Sequence, residues 1–401
     1  MAEPALVHVV AGGVNQLPLV RAARDLGHRV LVTDMFPNPP CRAESDLFVQ
    51  MDVVDRAGTL EVARQYGVNG VVTDQTDVAV PTVALIAEEL GLPGIGFETA
   101  LRFTNKELMR LSLAGGNDFR LPTCTFFEEM APALEFVTTE DSPTGQWLVK
   151  PVNSQGSRGV ARLGKGADES LLLRAFDASR QKGVLIEEYI DGEEYSVEAF
   201  IVDGRRHNLA VTRKYHYAEN DCIDERNTYL GDVPSDIEEA LFRANDEIAS
   251  TMNPGFCSMH TEFKIQNGNV YLIETAARGG GGNISGKLLP YLTGFEPCQA
   301  LVQAAMGETI EPRFDDYRTR FAAMRFFNFE QGVLSSIDFD REMADGLLHF
   351  ELDVGPGSEI RSILDSRNRP GYFIVAGDDA DAVEVSEQAF LDTFELAYER
   401  R

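Results

Sequence analysis

Between residues 6 and 91 the chain alternates short apolar runs with helical patterns, and by residue 145 that alternation has stopped. LVHVVA (6–11), RVLVTD (29–34) and GVVTD (70–74) read as buried strands, with helical patterns over 17–26, around 58–66 and over 79–90 between and after them. Strand–helix alternation of this kind builds a parallel sheet covered by helices. From WLVKPV (147–152) onward, tight turns separate the apolar runs instead. NSQGSRG (153–159) leads into VARL (160–163), and Asp191-Gly192 and Asp203-Gly204 bracket a long strand. Asn267-Gly268 sits inside MHTEFKIQNGNVYLIETAAR (259–278), and an Asn-Gly pair flanked by strand residues is a strong hairpin signal. The chain therefore combines an α/β front with an antiparallel α+β remainder.

The front unit is expected to close near residue 103, with Thr104 capping the next helix and Glu107 completing a capping box. Further helices are expected around 168–181, over the acidic stretch 235–251, from about 287, and over 383–398 at the end of a β-rich segment that starts near 313. Trp147 reads as packing. At ~100–200 residues per domain, 401 residues allow two or three domains.

Strand, Gly12-Gly13, helix, then a second strand ending at Asp34 resembles a Rossmann half. No third glycine follows Val14, Asn15 and Gln16, which argues against a dinucleotide site.

Charge narrows the function. The 36 Lys and Arg stand against 64 Asp and Glu, a net charge of −28. Such a chain repels phosphate backbones and anionic lipid, so nucleic acid and membrane partners are not expected. Any polyanion must meet a local basic island or bring metal ions. The five cysteines, Cys41, Cys124, Cys222, Cys257 and Cys298, are odd in number and form no CxxC. That disfavours a disulfide framework or structural zinc and fits a reducing cytoplasm. No apolar run approaches the ~18 residues of a membrane span, and the N-terminal residues do not read as a signal peptide.

Three motifs carry chemistry. The first is the loop Ser154-Gln155-Gly156-Ser157-Arg158-Gly159, preceded by Lys150 at the end of an apolar strand. Small residues let backbone N–H groups approach phosphate oxygens, and Lys150 and Arg158 add charge. The second is Glu187-Glu188-Tyr189-Ile190 followed by Glu193-Glu194, a strand running into a turn. Its backbone groups can pair with an adenine edge, and a carboxylate can accept from ribose hydroxyls. The third is Glu262 and Glu274, which the Asn267-Gly268 turn places roughly opposite one another on adjacent strands. Two carboxylates sharing a face repel unless a hard cation binds them. Arg278 and Gly279–Gly282 follow directly. The near-P-loop at Gly281 to Lys287 lacks the Ser or Thr that would hold magnesium, because Leu288 comes next.

In this order, Lys106, Lys150, the glycine loop, Glu-Glu-Tyr-Ile, Glu262, Glu274 and Arg278 resemble the ATP-grasp superfamily over roughly 104–310. HTEFK…IETAARGGGGNI looks most like its carboxylate–amine ligases that join amino acids, the L-amino-acid ligases. The resemblance implies an N-terminal α/β domain (1–103), a grasp domain of two α+β subdomains (104–312, with a lid over about 115–190) and a small β-rich C-terminal subdomain (313–401).

It also implies site residues. Lys106 and Lys150 would contact ATP phosphates, with Ser154, Gly156, Ser157 and Gly159 folding over them. Glu187, Glu188 and the backbone of Tyr189 and Ile190 would hold adenine, and Glu194 the ribose. Glu262 and Glu274 would ligate one or two magnesium ions, with manganese as a substitute. Arg278 would steady the acyl phosphate or the substrate carboxylate. Lys214 would reach the γ-phosphate ahead of a polar loop (216–232) able to close over the site. His260 and the segment Gly281, Gly282 and Asn283 would contact substrate. Ala276 departs from the Asn that many relatives have two residues after the second metal carboxylate. The remaining histidines, His216 and His349 among them, read as structural or incidental.

The implied reaction joins a small carboxylic acid, activated as an acyl phosphate, to an amine, with a homodimer as the assembly expected by analogy. Two alternatives remain: a purine-pathway ligase or carboxylase of the same fold, and a nucleotide-binding module without catalysis.

Overall fold

The computed structural model describes residues 4–164, 169–340 and 345–399. Its front is a four-stranded parallel sheet in the order Leu47–Gln50, Arg29–Asp34, Leu6–Val10, Gly70–Val72. The strand Leu6–Val10 is buried along its whole length, as the near-continuous apolar run requires of a parallel strand covered on both faces. The helices Leu17–Asp25, Arg56–Tyr66 and Val80–Leu90 supply the cover. Chain order reverses between Leu6–Val10 and Gly70–Val72. Open α/β sheets bind ligands in the crevice beyond the strand ends at such a point. Two loops lie there, one after Gly12 and one over 73–77.

The helix boundary near residue 104 differs from expectation. Thr104 ends the helix Phe97–Thr104, and its hydroxyl bonds back to Ala100 O at 2.8 Å. Asn105 is the cap of Lys106–Ser112, accepting from the N–H groups of Glu107 and Leu108. An Asn one residue later does the same work as the expected Thr, because both present a short acceptor.

Behind it, Cys124–Phe127, Val184–Glu188, Trp147–Pro151 and Ala161–Leu163 form an antiparallel sheet in that order. Helices Met130–Thr139 and Glu169–Ala178 pack on it around Trp147, Val149 and Ile186. Residue 168, where the second of these helices was expected to begin, lies outside the described residues. The chain then crosses at residues 189–192 into a second, eight-stranded antiparallel sheet. Its order is Asn269–Ala276, Cys257–Gln266, Glu193–Val202, Arg205–Tyr217, Asn220–Tyr229, Phe321–Phe326, Gly371–Gly377, Leu347–Leu352. This sheet runs unbroken from the metal-candidate hairpin into the C-terminal segment.

Two expectations fail here for physical reasons. The polar segment 216–232 is no closing loop. Its strand Asn220–Tyr229 pairs with Arg205–Tyr217 on one side and Phe321–Phe326 on the other, so its backbone groups are held in two ladders. The C-terminal helix is Ala380–Leu391, capped by Asp379, and stops well before residue 398. Phe394 packs against Phe327, Phe339 and Phe390, which turns the chain so that Glu395–Tyr398 pairs with Gly332–Asp338. The helix expected from 287 begins as one wide turn over Ile284–Leu288 before Leu289–Thr293. Among the described residues, no helix is long and apolar enough to cross a membrane.

Candidate active site

The smaller sheet closes down on the larger one and leaves a narrow slot. Lys106, Lys150, Glu188, Ile190, Lys264 and Glu274 are among its walls. The slot meets a wider cleft of about 500 Å³ at Ser154, Glu194, Glu262 and Glu274. The far wall of that cleft comes from the front domain through Asn15, Gln75 and Asp77, and from the C-terminal segment through Glu351, Asp353 and Tyr372.

Lys150 lies on Trp147–Pro151 with its ammonium 2.8 Å from Glu187 Oε2, and Arg110 Nε is 2.6 Å from the other oxygen. All three side chains are buried. Burial pushes the Glu187 carboxyl up, but Arg110 and Lys150 outweigh it and hold the group at about 2. Glu187, among the residues lining the slot, is thus paired with two cations. The backbone N–H of Tyr189 donates to Gln146 O at 3.0 Å. Lys106 reaches Glu274 at 2.7 Å and Ser154 O at 3.0 Å.

The glycine loop is folded inward. Ser157 Oγ donates to Cys222 O at 2.7 Å, and Ser366 N–H donates to Gly156 O at 3.1 Å. Gly159, at φ 77°, could not carry a side chain: a Cβ there would lie 2.7 Å from Ala178 Cβ.

Glu262 and Glu274 are direct cross-strand partners, as the turn spacing implied. The turn residues Asn267 and Gly268 have φ of 52° and 74°, the left-handed pair of a tight hairpin. Each carboxylate is met by a lysine, Glu262 by Lys214 at 2.6 Å and Glu274 by Lys106. Lys214 also lies 3.1 Å from Glu194 and 3.2 Å from Asp224. Burial lowers its pKa, but the three carboxylates outweigh that and raise it well above the usual lysine range. His216, read from sequence as structural or incidental, joins this group 3.2 Å from Glu194. Its Nε2 and carboxylate oxygens of Glu194 and Asp224 lie within 4.8 Å of one another.

His260 bridges Glu198 and Glu262. Burial lowers the imidazole pKa, yet the two carboxylates raise it to about 9. Facing oxygen donors on adjacent strands suit a hard divalent ion, and here two lysine ammonium groups answer the same charge. Glu262 and Glu274 therefore fit magnesium by chemistry.

Arg278 follows at the end of the hairpin. Its Nε and Nη2 donate to both oxygens of Asp77 at 2.9 and 2.8 Å. Burial would lower its pKa, and Asp77 more than restores it. Gly281 and Gly282 line the cleft, but Asn283 is buried behind it. Its amide nitrogen donates to Tyr372 OH at 2.8 Å and its backbone N–H to Gln75 Oε1 at 2.9 Å. Asn283 thus ties the front domain to the C-terminal segment. His349 touches the same side chain, 3.3 Å from Asn283 Nδ2.

Arg110, Glu198, Asp224 and the loop 74–77 escaped sequence reasoning. Only the last carried a usable signal: a polar Thr-Asp-Gln-Thr-Asp directly after a parallel strand.

Comparison with known proteins agrees with this architecture. An ATP-grasp domain model matches residues 146–287, an ATP-grasp N-terminal domain model 20–94, and an L-amino acid ligase C-terminal domain 2 model 325–399. The phosphoribosylamine–glycine ligase of Lactococcus lactis subsp. lactis is 25% identical over 208 residues, 46% of this chain and 50% of that protein. The alanine–anticapsin ligase of Bacillus subtilis is 26% identical over 258 residues, 56% of this chain and 51% of that protein. The chain thus spans about half the length of these curated relatives. The crystal structure of the L-amino acid ligase from Bacillus licheniformis superposes with a TM-score of 0.83, covering 100% of both chains at 21% identity. At that identity the likeness is one of fold.

Proposed function

We propose that this chain, which carries an ATP-grasp domain between an ATP-grasp N-terminal domain and an L-amino acid ligase C-terminal domain, is an ATP-dependent ligase that joins a small carboxylic acid, an amino acid in the first instance, to an amine. The observation that carries the proposal is the facing pair Glu262 and Glu274, set where the slot meets the cleft and followed by Arg278.

In this reading ATP lies in the slot. Lys106 and Lys150 face its phosphates, Ile190 and its neighbours the base, and Glu194 the ribose. Glu262 and Glu274 would hold one or two magnesium ions, which when bound neutralise charge on the transferring phosphoryl group. A carboxylate oxygen of the substrate attacks the γ-phosphorus as the bond to the bridging oxygen breaks, giving an acyl phosphate and ADP. The amine nitrogen then attacks the acyl carbon, the bond to the phosphate oxygen breaks, and the nitrogen loses a proton. Arg278 steadies the negative oxygen that develops. The inward-folded glycine loop keeps water from the acyl phosphate.

A second reading keeps the fold and changes the acceptor, and the match to a phosphoribosylamine–glycine ligase favours it. Mass spectrometry of the protein with Mg-ATP and a pool of amino acids and small acids separates them. ADP with a product of two pool members minus water supports the proposal. ADP formed only when a phosphorylated sugar amine is supplied supports the second reading. No ADP under either condition contradicts both.

A further inference from the structure

Three segments far apart in sequence meet at Asp77. The residue opens a single helical turn, Asp77–Ala79, and the side chain of the preceding Thr76 makes no capping bond. The first N–H groups of such a turn have no internal acceptor. The N–H of Asp77 instead donates to Gln155 Oε1 at 2.8 Å, from the tip of the glycine loop 78 residues away. The carboxylate of the same Asp77 clamps Arg278 through two hydrogen bonds.

Its neighbours grip the segment behind Arg278. Asp74 Oδ1 accepts from Gly279 N–H at 2.7 Å, and Gln75 Oε1 accepts from Asn283 N–H. Gln75 adopts φ 57°, a left-handed conformation that costs a residue with a side chain and persists where surrounding contacts fix it. Gln75 Nε2 is tied to Asn15 O at 2.9 Å. Loop 74–77 thus touches the glycine loop through one backbone amide and the Arg278–Asn283 segment through three side chains.

We infer that Asp77 is a positioning residue which couples closure of the glycine loop to the placement of Arg278, with Gln155 as the latch. When Gln155 is engaged, the Asp77 amide is satisfied and its carboxylate is fixed against the guanidinium. When the glycine loop lifts, that amide loses its protein acceptor, and the loop that holds Arg278 and Gly279 loosens. The inference rests on the ligase reading for its chemical consequence: Arg278 is aligned for acyl transfer only while the loop excludes water. Loss of the latch then diverts acyl phosphate to hydrolysis.

Gln155 is exposed, so its replacement leaves the core intact. Hydrogen exchange on the wild-type protein and Gln155→Ala, both without ligand, tests the coupling directly. The expected result is faster exchange at 75–79 and also at 277–283, where the Gly279 and Asn283 amides lie. Gln155→Glu, which keeps an acceptor oxygen, should restore the wild-type pattern. Faster exchange confined to 75–79 would overturn the coupling, because a local contact moves nothing else, and no change anywhere would overturn the latch.

The chemical arm is the ratio of ADP to condensed product. Gln155→Ala should raise it. Asp77→Asn should raise KM for the carboxylate ~10-fold or more, because a charge-assisted pair is lost. A ratio unchanged in Gln155→Ala contradicts the inference. Failure of the wild type to condense any acid would instead remove the ligase reading and leave the coupling to be decided by exchange alone.

Discussion

Two charge clusters flank the slot, and they are built with opposite signs. On the smaller sheet one carboxylate, Glu187, sits between two cations, Arg110 and Lys150, leaving one positive charge in excess. On the larger sheet two cations, Lys214 and Lys264, sit among Glu194, Asp224 and Glu262, leaving one negative charge in excess before the histidines are counted. Each arrangement satisfies its buried charges, because burying an unpaired ion is costly. Each also leaves a surplus suited to a different guest, an anion on the smaller sheet and a cation on the larger. Under the proposed function, a protein with a net charge of −28 would accept a triphosphate because the positive surplus is local and the negative one would recruit metal.

Removing the metal-candidate carboxylate next to the negative cluster, on the edge strand of the larger sheet, should have the largest effect. Glu274→Ala is expected to lower ATP-dependent turnover by ~10²–10³-fold, with the fold retained by circular dichroism. Near-normal turnover would take Glu274 out of the metal site and break the contrast. On the positive side, Lys150→Ala should raise KM for ATP ~10-fold or more through loss of a charge-assisted contact. An unchanged ATP dependence would mean that the positive surplus serves Glu187 alone.

Stability sharpens the comparison further. The Glu187 carboxyl is lowered from 4.5 to about 2, so its contribution is complete above pH 4.5 and is lost as pH falls toward 2. The difference in unfolding free energy between wild type and Glu187→Gln should shrink across that window by roughly 3 kcal/mol. A difference that stays constant between those pH values would show that Glu187 is not held by its cations. The smallest effect is expected at the turn that aligns the metal pair. Asn267→Ala places an ordinary side chain at φ 52° and should cost ~1 kcal/mol in denaturant unfolding, with turnover unchanged. No cost at all would mean that the register of Glu262 and Glu274 is set by strand packing rather than by the turn.

What could be read from the sequence was what local spacing encodes. The Asn267-Gly268 turn fixed the pairing of Glu262 with Glu274, and the βα alternation fixed the parallel sheet. Readings fell short where a residue's role depends on something distant in sequence. The pairing of Glu187 with Arg110 was hidden because the two lie 77 residues apart. The partners of His216 were hidden because Glu194 and Asp224 reach it only through strand pairing. Segment 216–232 looked like a loop because its polar composition hides a strand held between two neighbours. The terminal helix was overextended because nothing local marks Phe394 as the point where an aromatic cluster turns the chain.

The account stands on transfer of the γ-phosphoryl group to a carboxylate between these two clusters. The direct measurement is isotope transfer. The wild-type protein is given Mg-ATP, an amine pool and amino acids labelled with ¹⁸O in their carboxylates, and the inorganic phosphate is analysed by mass. The account predicts one ¹⁸O in each phosphate released with condensed product, carried over when the acyl phosphate is cleaved by the amine. Condensed product accompanied by unlabelled phosphate would contradict it, because the carboxylate oxygen would never have been bonded to phosphorus.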